Sequence, residues 1–76
     1  MKQYQVYFEY YSEGETGNDC YRFTDREAAL AKMEELRDAI VDNFTDAAQP
    51  ETLDEADFYG IIDHATGDYA KVIFKE

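Results

Sequence analysis

The chain has one cysteine, one histidine, one proline and no tryptophan in 76 residues, and only 7 lysines and arginines. Each scarcity excludes something. A lone Cys20 cannot close an internal disulfide, and the paired cysteines of a zinc ribbon are missing, so the fold must rest on its core. That is the habit of a reduced protein, and the expected location is cytoplasmic. Against the 7 bases stand 18 acids, giving a net charge of −11. With no basic stripe to hold phosphates, direct binding to nucleic acid is disfavoured, and so is attraction to an anionic membrane. No apolar run nears the ~18 residues of a membrane span, and the opening MKQYQVYFEYY lacks the apolar stretch of a signal peptide.

What is present argues for a folded domain. Hydrophobic residues make up 45% of the chain and aromatics 16%, with seven tyrosines and five phenylalanines. Disordered acidic chains are poor in aromatics. A chain this short hides only about 60% of its unfolded surface, enough for one core and one domain, residues 1–76.

Tyr4, Val6, Phe8 and Tyr10 alternate with Gln3, Gln5, Tyr7, Glu9 and Tyr11, the period of a strand. Ser12 to Asp19 reads as a turn or mobile loop, and Cys20 to Phe23 as a short second strand, making residues 1–23 a hairpin. Thr24 and Glu27 fit a capping box, and Ala29, Met33, Leu36, Ile40 and Phe44 recur at helical spacing, widened by Leu30 and Val41. Residues 24–44 therefore read as an amphipathic helix. Residues 45–57 read as an acidic connection around Pro50, with room for a short helix starting there. Residues 58–76 read as a second hairpin, with Gly67 left-handed in a type I turn and bulge. That turn would pair Ile62 with Ala70, Gly60 with Val72 and Phe58 with Phe74 on one apolar face. The expected fold is α+β, in the order β-β-α-β-β, with one helix on a four-stranded antiparallel sheet.

One helix covers one face of a sheet. With Tyr4, Val6, Phe8, Tyr10, Phe58, Ile62, Val72 and Phe74 beneath it, the other face keeps Tyr7, Tyr11, Tyr59, Ile61, Tyr69 and Ile73. Six such side chains form a candidate contact surface, since exposed apolar patches and tyrosines mark interfaces.

No catalytic motif is present, so no enzyme and no cofactor are expected. Asp63 and His64 are neighbours that strand alternation turns to opposite faces. Cys20 reads as a half-buried strand residue rather than a nucleophile. The carboxylate runs Glu13, Glu15, Asp19 and Asp54, Glu55, Asp57 lack EF-hand spacing, and no metal site is assigned to them.

The acids suggest a surface. Glu13, Glu15 and Asp19 lie in the first hairpin, and Asp42, Asp46, Glu51, Asp54, Glu55 and Asp57 follow one another with no intervening base. If hairpin and segment share an edge, these nine carboxylates would face a basic protein partner through steering and complementarity. The expected function is a small acidic protein-interaction module. In its sharper form it is an inhibitor that occupies the basic surface of a nucleic-acid-binding protein by mimicking nucleic acid. Small acidic inhibitors from phages and mobile elements act this way as a class, although no motif here marks membership. The alternative is a homodimeric structural or adaptor domain that binds through the tyrosine-rich face, its acidity serving solubility.

Overall fold

The computed structural model describes residues 2–76. Among them the chain is α+β: strands β1 (Tyr4–Ser12) and β2 (Glu15–Phe23), helix α1 (Arg26–Asn43), then strands β3 (Pro50–Glu55), β4 (Phe58–Asp63) and β5 (Tyr69–Lys75). The strands form one antiparallel sheet in the order β2-β1-β5-β4-β3. The first and last strands thus pair in the middle. The helix leaves edge strand β2 and delivers the chain to the opposite edge, β3, crossing one face on the way.

The sheet has five strands where four were expected, because the supposed acidic connection contains β3. Its six residues, PETLDE, include one apolar side chain and are all exposed, so no alternation announces a strand. It is held by pairing with β4, from Pro50 opposite Asp63 to Glu55 opposite Phe58. A proline at the first position and several carboxylates suit an edge strand, where they discourage further pairing. No helix starts at Pro50.

The first hairpin is tighter than expected. Glu13 (φ 54°) and Gly14 (φ 83°) are both left-handed, the pattern of a two-residue type I′ turn, so Ser12 pairs directly with Glu15. Most of the supposed loop is strand β2. Gly17 sits there because Tyr10, its partner on β1, lays its ring across it: a Cβ would stand 2.6 Å from Tyr10 Cζ.

Helix α1 matches the expected span to within two residues at its start. Ala29, Met33 and Ile40 are buried, and Leu30, Leu36 and Phe44 pack against them, whereas Val41 is exposed. The cap differs from expectation. Asp25, not Thr24, is the extended residue before the first turn, and its carboxylate accepts from the Glu27 amide at 3.1 Å.

The second hairpin keeps the expected left-handed Gly67 but slips by one residue. The amides of Thr66 and Gly67 both donate to the Asp63 carbonyl, and Asp63 N donates to the Asp68 carbonyl, closing a four-residue loop. Ile61 therefore pairs with Ala70, and Tyr59 with Val72. Because strand side chains alternate, one residue of slip exchanges the faces of β4. Tyr59 and Ile61 join Val6, Val72, Ala70 and Phe74 beneath the helix, and Phe58 and Ile62 turn to the other side.

The rim of the core is closed by the three bases of α1. Arg26 lies over Phe74, Lys32 over Tyr21 and Arg37 over Tyr59, with cation to ring-centre distances of 5.7, 4.5 and 4.6 Å. Their stems cover apolar edges while the heads stay wet.

Candidate functional site

Two surfaces stand out, one acidic and one apolar. The acidic one lies beyond the C-terminal end of α1. Phe8, Tyr10 and Phe44 line a cleft of about 520 Å³ there, with Asp46, Asp63 and Asp68 among its walls and no lysine or arginine. Glu13 is tied to this end by its amide, which donates to Asp68 Oδ1 at 3.3 Å. Glu15 follows on β2, and Asp42 is in the last helical turn. The helix itself adds to the negative field. Its last turn carries no base, and only the Thr45 hydroxyl, donating to the Val41 and Asp42 carbonyls, supplements the cap.

Within the cleft wall Asp63 has a structural task. It is buried, and its carboxylate accepts from the amides of Ala65 (2.9 Å) and Gln49 (3.3 Å), joining the last turn to the approach of β3. The Ala65 amide, with those of Gln49 and Ala48 and the Thr66 hydroxyl, holds this carboxyl below its ordinary range despite the opposing effect of burial. Nothing in the sequence pattern marked Asp63 or Asp68 as part of an acidic surface.

The nine carboxylates expected on one edge are divided. Glu15 and Asp19 lie on β2, Glu51, Asp54 and Glu55 on β3, and these strands are opposite edges of the sheet. Asp54 pairs with Arg37 and Glu51 with His64. Asp57 stands at the far end, where its carbonyl accepts from Phe74 N. Only Glu13, Glu15, Asp42 and Asp46, with Glu51 flanking, belong to the helix C-terminal end. Among the described residues no three His, Cys, Asp or Glu side chains gather as a metal site.

The apolar surface is the sheet face that α1 leaves open. Tyr7, Tyr11, Tyr69 and Ile73 lie on it as expected, whereas Tyr59 and Ile61 are buried on the helix side. Phe58, Ile62 and the half-exposed Leu53 take their place. At the centre the Glu9 carboxylate meets Lys71 Nζ at 3.2 Å and accepts from the hydroxyls of Tyr7 and Tyr69 at 3.3 Å each. Lys71 chiefly, with the two hydroxyls, holds the Glu9 carboxyl below its usual range against partial desolvation. Desolvation and the nearby Glu9 charge push the Tyr7 hydroxyl up. Tyr11 stacks on Tyr69 with ring centres 6.2 Å apart. Cys20, expected half-buried, is exposed beside Tyr7 on edge strand β2.

Comparison with protein-family models, with characterised proteins and with solved structures yields no match. Among the described residues no helix is long and apolar enough to cross a membrane.

Proposed function

We propose that this protein is a small acidic protein-interaction module that receives a basic surface of a partner protein at the C-terminal end of α1. One observation carries the reading: the bases are kept away from this end. Lys2 and Arg26 gather around Glu76 at the opposite end, near Arg22 and Lys75, whereas the cleft walls hold carboxylates and no base. An aromatic floor inside an acidic rim suits the stem and head of an arginine or lysine, through cation–π attraction and charge pairing. The long-range field would act mainly on the association rate. A phosphate-binding surface of a nucleic-acid-binding protein is one such basic surface, and its occupation is the sharper form of the proposal. The split of the nine carboxylates between two edges restricts any mimicry to the helix C-terminal end.

The experiment is affinity capture with the parent and with a Glu15→Gln, Asp42→Asn, Asp46→Asn variant. The reading expects a partner held at low salt by the parent, held less by the variant, and released as the screening length falls from about 10 Å at 0.1 M to about 3 Å at 1 M. Displacement of that partner by duplex DNA or RNA supports occupation of a phosphate-binding surface. Equal capture by parent and variant at low salt overturns the acidic-surface reading.

A further inference from the structure

We infer that the open sheet face is the docking site for a second copy of this chain, packed sheet against sheet. The face carries no net charge. The strands place Glu9, Glu51 and Glu55 on this face, against Arg22, Lys71 and Lys75. Three acids meet three bases, so the face is neutral and the whole excess of −11 lies elsewhere. Two copies can bring these faces together with no net charge on either side of the contact, and the one lysine at its centre, Lys71, already has Glu9 beside it. A basic partner finds no attraction here and an anionic one finds none either.

Covering the face also costs little. Its apolar part forms two rows across the sheet, Phe58–Ile73–Tyr7 and Ile62–Tyr69–Tyr11, on either side of one polar row. That polar row centres on Glu9, whose carboxylate is already met by Lys71, Tyr7 and Tyr69. Burying a charge is expensive chiefly when it is left unpaired, and this one is not.

The two edges of the face also complement each other. Its acids Glu51 and Glu55 line edge strand β3, and its base Arg22 lies on the opposite edge strand, β2. The middle strand is β5. A two-fold axis running along it lays β3 of one copy over β2 of the other, bringing Glu55 toward Arg22. The same axis sets β1 over β4. There Tyr7 stands level with Phe58 and Tyr11 with Ile62, on either side of a shallow depression of about 230 Å³ over Gly60, which Glu9 faces. An axis across the strands would instead set β3 on β3, acid against acid. In size, five strands at about 4.8 Å by five or six residues at about 3.3 Å give a projected area of roughly 430 Å². Side-chain relief raises this to the order of the ~500 Å² per partner that a specific contact needs.

The test is sedimentation equilibrium of the full chain from about 5 μM to about 0.5 mM, a range that brackets dissociation constants of tens to hundreds of micromolar. A reversible monomer–dimer equilibrium is expected. It should strengthen between about 0.05 M and about 0.5 M NaCl, because salt screens the repulsion between two acidic molecules. Capture of a basic partner at the acidic end would weaken over the same range, so the two readings fail separately. Ile73→Lys should weaken the dimer at least tenfold while the circular dichroism spectrum is retained. If that variant unfolds, Leu53→Lys on the exposed edge strand replaces it. Glu55→Arg and Arg22→Glu should each weaken the dimer and together restore it. A monomer at about 0.5 mM in both salts overturns the proposal. So does a dimer indifferent to the variants on this face, and a double variant that fails to recover overturns the axis along β5.

Discussion

The Arg37 guanidinium lies 4.6 Å from the centre of the Tyr59 ring, on the helix side of the sheet. That contact settles which way β4 faces. Tyr59 is 6% exposed, closed in by Arg37 above and by Val72 opposite on β5. Tyr59→Ala should therefore cost about 3–5 kcal/mol, the range for removing a buried aromatic ring. Tyr11→Ala, on the open face, should cost much less. Urea unfolding of the two variants measures the difference, and equal midpoints would contradict the placement of Tyr59.

That placement also shows what could be read from the sequence. The β1 alternation and the helix stripe of Ala29, Met33 and Ile40 were legible because each repeats over several residues, so an error at one position is outvoted by the rest. The faces of β4 were not legible in this way. Phe58, Tyr59, Ile61 and Ile62 are apolar on both sides, and only the turn length decides which pair goes inward. Strand β3 escaped because an edge strand with both faces wet needs no apolar pattern. The N-terminal half of β2 escaped because its SEGETGND composition matches a loop, and because Gly17 is there to accommodate a ring from β1 that no local reading contains. The acidic end gathers Glu13, Asp42, Asp46, Asp63 and Asp68 from separate segments, a set that exists only once the helix is docked.

The cap supplies a sharper local test. Asp25→Ala should cost about 1 kcal/mol, because the Glu27 amide loses its acceptor at the positive end of the helix. Thr24→Ala, one residue outside the cap, should stay within about 0.5 kcal/mol of the parent. Thermal melts of the pair decide it: the larger loss at Thr24 would restore the capping box.

Acid stability should report on Asp63. Its carboxyl titrates below the unfolded value of about 3.9, because the Ala65 amide chiefly stabilises the charged form. A depressed folded pKa means the unfolded state takes up protons first as pH falls. The contribution is therefore complete above about pH 4 to 5 and is lost as pH drops through the folded pKa, below about 3.9. Asp63→Asn removes this dependence and leaves the amides of Gln49 and Ala65 with a weaker acceptor. The variant should melt lower than the parent at pH 7, and the gap should narrow toward pH 3. A gap independent of pH would show that the carboxylate charge is not what holds the turn.

The first turn offers a stabilising change. Glu13 occupies a left-handed position at φ 54°, where a side chain with a Cβ is strained and asparagine is tolerated best after glycine. Asn-Gly is the favoured pair for a type I′ turn, so Glu13→Asn should raise stability by about 0.5–1 kcal/mol. Charge confuses this comparison, because Glu13 also sits at the acidic end and its removal relieves repulsion. Glu13→Gln separates the two effects, since it removes the same charge and keeps an unfavoured side chain in the turn. The excess of Asn over Gln measures the turn, and it should persist in about 0.5 M NaCl, where the charge effect is largely screened. The gain of Gln over the parent measures repulsion and should shrink with salt. Equal melting temperatures for Asn and Gln at high salt would mean that Glu13 is under no backbone strain and that the Gly14 position alone defines the hairpin.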